Sequence, residues 1–160
     1  MPKKQIYLTG FMGTGKSMIL NCLHEVCGFD KIEMDEQIVQ EQGMSIPEIF
    51  EKKGEEYFRN LETELVKKIS AMDNIVVSCG GGTVMRQCNV DEMKKNGTIV
   101  LLTAEPETVY ERVKGSHNRP LLEKNMNPEY IKELMEARRP KYEAAADFVI
   151  KTDNLSLIHI

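Results

Sequence analysis

Residues 10–17 read GFMGTGKS, so Gly10, Gly15, Lys16 and Ser17 complete the spacing G-x-x-x-x-G-K-[ST]. Glycines at these points let backbone N–H groups wrap an anion, and a helix starting there adds about half a positive charge. Lys16 would reach the β- and γ-phosphates of a nucleotide, and the Ser17 hydroxyl would ligate Mg2+. Two acids come next, Glu33 and Asp35 in IEMDEQI. On an extended strand, residues two apart face the same side. One acid could then hold a magnesium-bound water while the other accepts a proton from an attacking hydroxyl. Asp35 also suits the cap of a helix over EQIVQEQ. Gly80, Gly81 and Gly82 follow an apolar run. They form either a plain turn or a place where a ligand approaches the backbone closely.

The cations of this acidic chain are grouped. Arg112, Lys114 and Arg119 come with no acid between them, as do Arg138, Arg139 and Lys141. A solvated basic face is the plain reading. The alternative is a short lid in GSHNRPLL, residues 115–122, that swings Arg119 over the γ-phosphate and shuts out water. Arg59 stands between Phe58 and Leu61 in EEYFRNLETE. It either pairs with Glu62 or awaits an anionic substrate, and spacing alone leaves both open.

A net charge of -4 argues against a nucleic-acid or membrane-surface binder. With 160 residues, one domain with a real core is expected. That length excludes a motor or helicase, and no NKxD-type segment is present to make a switch GTPase. Cys22, Cys27, Cys79 and Cys88 form no CxxC pair, so unreactive thiols in a reducing compartment are expected rather than zinc ligands. MPKKQIYLTG has too short an apolar stretch for a signal peptide, and no run approaches the ~18 apolar residues of a membrane span. A cytoplasmic protein is the expectation.

Five apolar, β-rich runs are available to position these groups: 5–9, 31–34, 75–79, 98–103 and 148–151. Helical spacing lies between them, with Ile19, Leu20, Leu23 and Val26 on one stripe and Phe58, Leu61, Leu65 and Ile69 on another. Ser45 and Glu48 form a capping box, and Pro106 and Pro128 suit first helical positions. The alternation predicts an α/β fold, a parallel sheet with helices on both faces. Ligands of such sheets bind beyond the carboxyl ends of the strands, where the phosphate loop, Asp35 and the glycine triplet all fall.

Taken in order, GFMGTGKS, EMD, GEEYFRNLE, SCGGGTV, NRPLL and RRPKYEAAAD resemble the shikimate kinase family from about residue 5 to residue 151. The resemblance implies an adenylate-kinase-like P-loop three-layer sandwich whose five parallel strands run 2-3-1-4-5. It implies a single kinase domain over 1–160, with a short lid around 112–124 and a substrate-binding helical segment around 35–62. The activity implied is Mg2+-ATP-dependent phosphorylation of the 3-hydroxyl of shikimate by a monomer, with no nucleic-acid or membrane partner. Gly13, Thr14, Gly15, Lys16, Ser17 and Met18 would cradle the phosphates, and Arg112 would lie against the adenine. Asp35 would bind the shikimate hydroxyls and supply or position the base, with Lys16 and the lid Arg119 as the other catalytic groups. Arg59 and Arg138 would hold the substrate carboxylate beside Gly80, Gly81 and Gly82. Ser17 and, through a water, Glu33 would hold the metal. Glu33 stands where the family has Asp, Met18 where it has Thr or Ser, and TDNLSLIHI where it has an adenine-side Arg and a further helix. A gluconate-type kinase and a nucleotide binder with weak turnover are the rival readings.

Overall fold

The computed structural model describes residues 4–113 and 127–153; Lys114, Arg119, most of the expected lid and residues 154–160 lie outside them. Five strands form one sheet: β1 (Gln5–Thr9), β2 (Asp30–Glu33), β3 (Ile75–Ser78), β4 (Gly97–Thr103) and β5 (Phe148–Lys151). Their order is β2-β3-β1-β4-β5 and every pairing is parallel, as the resemblance implied. Parallel neighbours need crossovers, and the described residues supply seven α-helices: α1 (Lys16–Cys27), α2 (Met34–Gln42), α3 (Ile46–Lys53), α4 (Glu55–Ile69), α5 (Gln87–Lys94), α6 (Pro106–Val113) and α7 (Pro128–Ala145).

Alternation along the strands sorts the core into two halves. Ile6, Leu8, Val76 and Val100 share one face with Ile19, Leu20 and Leu23 of α1. Tyr7, Ile75, Val77, Ile99 and Leu101 point the other way, into a larger cluster with Ile38, Phe58, Ile69, Met93, Val109 and Ile131 from five helices. The α1 stripe departs from expectation at its end. Val26 is 77% exposed, and Phe29, just past the left-handed Gly28 turn, joins the small cluster instead.

Helix starts follow local chemistry. Ser45 accepts from the Glu48 N–H at 3.3 Å and Asn127 from the Tyr130 N–H at 2.8 Å, while Pro106 and Pro128 open α6 and α7. The stretch around Asp35 requires a correction. β2 ends at Glu33 and α2 begins at Met34, so Glu33 is the N-cap residue and Asp35 lies in the first helical turn. The backbone changes from strand to helix between the two acids, and the same-side rule for extended chain does not govern them.

Candidate active site

The chain leaves β1 at Thr9, wraps through residues 10–15 and enters α1 at Lys16. Gly15 makes the last turn in the left-handed region, at φ 98°. Nothing lies within 4 Å of where its Cβ would stand, so the backbone conformation, not crowding, demands glycine. The first turn of α1 holds no acid, which leaves the positive end of its dipole uncompensated within that turn. Lys16 Nζ donates to the carbonyls of Gly10 at 2.5 Å and Phe11 at 3.3 Å, spanning the mouth of the loop. Ser17 Oγ donates to Glu33 Oε1 at 2.7 Å. Beside Glu33, the Glu36 carboxyl is pushed up, first by the Glu33 charge and then by burial. Met18 is half-buried in the first turn of α1.

The loop is also held from behind. Arg112 Nη1 donates to the Gly13 carbonyl at 3.0 Å, and its Nη2 to the Thr152 carbonyl at 2.7 Å. Thr152 Oγ1 lies 2.7 Å from the Thr14 carbonyl, and Thr14 Oγ1 donates to the Phe11 carbonyl at 2.7 Å. The guanidinium that the resemblance assigns to the adenine therefore bridges the phosphate loop and the exit of β5.

Across from the loop, β3 runs into Cys79 and the glycine triplet. Side chains from three helices converge on that floor. Where a Cβ on Gly80 would stand, Glu62 Oε2 is 2.7 Å away and Asp35 Oδ1 2.9 Å. At Gly82 the same position is 2.5 Å from Arg59 Nη1 and 2.8 Å from its Nη2, so any side chain there would displace the guanidinium. At Gly81 it lies 3.0 Å from Arg138 Nη1. Arg138 also packs its guanidinium over the Phe11 ring, 5.8 Å from the centroid.

Arg59 is paired: Nη1 donates to Glu62 Oε1 at 2.7 Å and Nη2 to Glu55 Oε1 at 3.2 Å. Burial works against its charge, but the two acids outweigh it and hold its pKa above the ordinary value. Glu62 is 1% exposed, and its second oxygen accepts from Thr83 Oγ1 at 2.7 Å. Burial pushes the Glu62 carboxyl up; Arg59 and Thr83 pull it back, and the Asp35 charge adds to the rise. Tyr142 is buried and donates its hydroxyl hydrogen to the Gly81 carbonyl, and the Arg138 guanidinium bonds the same phenol. Burial raises that phenol's pKa.

The second cation group divides three ways. Arg138 faces the glycines, Arg139 pairs with Glu136 at 2.8 Å, and Lys141 donates to the Met85 carbonyl at 2.8 Å. Arg119 lies outside the described residues. Glu62, Tyr142 and Thr152 were not singled out from sequence as site residues. An acid in the stripe of Phe58, Leu65 and Ile69 was the available sign for Glu62, and a tyrosine four residues after Arg138 for Tyr142; Thr152 gives no local sign. Cys79 is buried and burial pushes its thiol far up, whereas Cys27 and Cys88 are exposed and Cys22 is half-buried. Among the described residues no group of three or more His, Cys, Asp or Glu could hold a metal, and no helix is long and apolar enough to cross a membrane.

A phosphate loop between β1 and α1, in a parallel sheet of order 2-3-1-4-5, defines a P-loop kinase fold. A family model described as Shikimate kinase matches residues 12–159. The shikimate kinase of Persephonella marina is 45% identical over 153 residues, covering 96% of this chain and 92% of that protein. The shikimate kinase of Acinetobacter baumannii, solved in complex with shikimate, superposes with a TM-score of 0.91 at 32% identity, covering 99% of this chain and 87% of that one. A gluconokinase from Sinorhizobium meliloti reaches a TM-score of 0.61 at 18% identity, covering 99% of this chain and 87% of its own, which is a likeness of fold alone. The chain belongs to the shikimate kinase family.

Proposed function

We propose that this chain transfers the γ-phosphoryl group of Mg2+-ATP to the 3-hydroxyl of shikimate. The observation that carries the reading is the floor of Gly80, Gly81 and Gly82, where Arg59, Arg138, Asp35 and Glu62 meet. Shikimate is small, anionic and hydroxylated. Two arginines suit its carboxylate and an acid suits its hydroxyls. A glycine floor lets the ring lie against backbone.

In this reading Arg59 and Arg138 hold the carboxylate and fix which hydroxyl faces the loop. The two ion pairs of Arg59 and the phenol at Arg138 pre-set both guanidinium groups, so little freedom is lost on binding. Asp35 accepts or orients the proton of the 3-hydroxyl as that oxygen attacks phosphorus. The residues 13–18 cradle the nucleotide phosphates, with Lys16 at the β- and γ-oxygens. Ser17 and Glu33 present hard oxygen atoms 2.7 Å apart, a donor set that fits Mg2+, an ion that keeps several of its waters. Ser17 would hold the ion directly and Glu33 through a water. Held by these two side chains, the ion would offset the negative charge of the phosphate oxygens. Arg119 completes the reading as the group that meets charge developing on the γ-phosphate. The protein is read as a cytoplasmic monomer whose four cysteines stay as free thiols.

ADP release with Mg2+-ATP tests this against shikimate, quinate, gluconate and nucleoside monophosphates. Stimulation by shikimate is expected, and Asp35→Asn should keep nucleotide binding while losing most of that turnover. Stimulation by gluconate or a nucleoside monophosphate, with none by shikimate, would remove the reading.

A further inference from the structure

Thr152 follows β5 directly and is wholly buried, at 0% exposure. Its backbone N–H donates to the Thr103 carbonyl at 2.8 Å, which fixes the residue to the end of β4. Its hydroxyl accepts from Arg112 Nη1 at 3.2 Å and donates to the Thr14 carbonyl at 2.7 Å, with the Thr103 carbonyl a longer alternative at 3.2 Å. Arg112 holds the preceding carbonyl, that of Gly13, at 3.0 Å. Two successive carbonyls of the phosphate loop are therefore gripped from the side of β5.

The described chain contains no cis peptide, so each carbonyl points opposite to the N–H of the next residue. Fixing the Thr14 carbonyl toward Thr152 turns the Gly15 N–H the other way, away from Thr152 and the end of β5. Gly15 itself gives no resistance, because its left-handed conformation is open to glycine and no atom crowds it. Without an external hold, that peptide could rotate. We propose that Thr152 is a positioning residue for the nucleotide phosphates: its hydroxyl sets the plane of the Thr14–Gly15 peptide so that the Gly15 N–H faces the anion. Filling space would need only a side chain of this volume, which valine also has. What valine lacks is the hydroxyl, and a hydroxyl is costly to bury unless its bonds are used. Here the shorter of its two donor contacts goes to the loop.

The inference rests on the reading of residues 10–17 as an ATP-phosphate site, and the experiment separates the two. Thr152→Val and Thr152→Ser would be compared with the wild type by calorimetric titration of ADP and by initial rates with both substrates varied. Thr152→Val should raise the KM for Mg2+-ATP and the Kd for ADP roughly tenfold, the scale of one hydrogen bond to a group that must be placed. Its KM for shikimate should stay within about twofold of wild type, and Thr152→Ser should recover ADP affinity to within about twofold, the margin set for an interaction that is intact. Wild-type ADP affinity in Thr152→Val, equal rises in both KM values, or a Thr152→Ser variant as weak as Thr152→Val would each overturn the positioning role. Failure of the wild-type protein to bind ADP at all would instead overturn the phosphate-site reading, and this inference with it.

Discussion

Glu62 shows how much one side chain of the site depends on its surroundings. It sits at 1% exposure between the Arg59 guanidinium and the Thr83 hydroxyl, both 2.7 Å away, with the Asp35 carboxylate across Gly80. Its folded pKa is raised above the ordinary value of 4.5, chiefly by burial. Folding then favours the protonated form more than the unfolded chain does. The contribution of this group to stability is full below that ordinary value and is lost as pH rises through the higher folded one. A glutamine has no such dependence. The stability of wild type relative to Glu62→Gln should therefore increase as pH falls from about 7 to about 5, measured by urea midpoints. An unchanged difference at the two pH values would show that the carboxyl is not shifted. The residue scale was only partly legible in the sequence. The residues of GFMGTGKS announce their chemistry because backbone, ammonium and hydroxyl groups are fixed by local spacing. Arg59 did not, because an acid three residues on and a distant ligand leave the same local signature.

Among the elements, helix starts were readable wherever a side chain caps its own backbone. Ser45 bonds the Glu48 N–H, and α3 begins at the next residue, Ile46, with Pro47 close behind. Ser45→Ala should lower the unfolding free energy by about 0.5–1 kcal/mol, the low end for a lost cap given the 3.3 Å contact, visible as a lower urea midpoint with an unchanged slope. A change within error would mean that water satisfies the N–H equally well. The junction of β2 and α2 was not readable. With no linker residue between Glu33 and Met34, one stretch carries both strand and helix periodicity. The end of α1 was misread for a similar reason. Val26 lies on the right angular stripe, but Phe29 joins the small cluster in its place.

For the molecule as a whole, alternating strand and helix signals specify a parallel sheet but no strand order. The order came from the resemblance to a family and not from periodicity. Contacts that fix it are remote in sequence: Gln5 stands beside both Ile75 and Gly97, and Thr152 reaches back 138 positions to Thr14. Strand parity, by contrast, was local, and it decided which face each apolar residue enters. The four cysteines turn this layered arrangement into a clock. Cys79, 2% exposed at the exit of the interior strand β3, between β2 and β1, carries a thiol that burial keeps protonated. A thiol reagent attacks only the thiolate, so Cys79 can be alkylated only when the middle of the sheet opens. Cys27 and Cys88 are exposed and should be modified first. Adding Mg2+-ADP should slow alkylation at Cys79 while leaving Cys27 and Cys88 unchanged, followed residue by residue by mass spectrometry. Equal protection at all three would mean that the reagent, not the sheet, had been slowed. Read this way, a side chain with no part in phosphoryl transfer times how often the two halves of the site come apart.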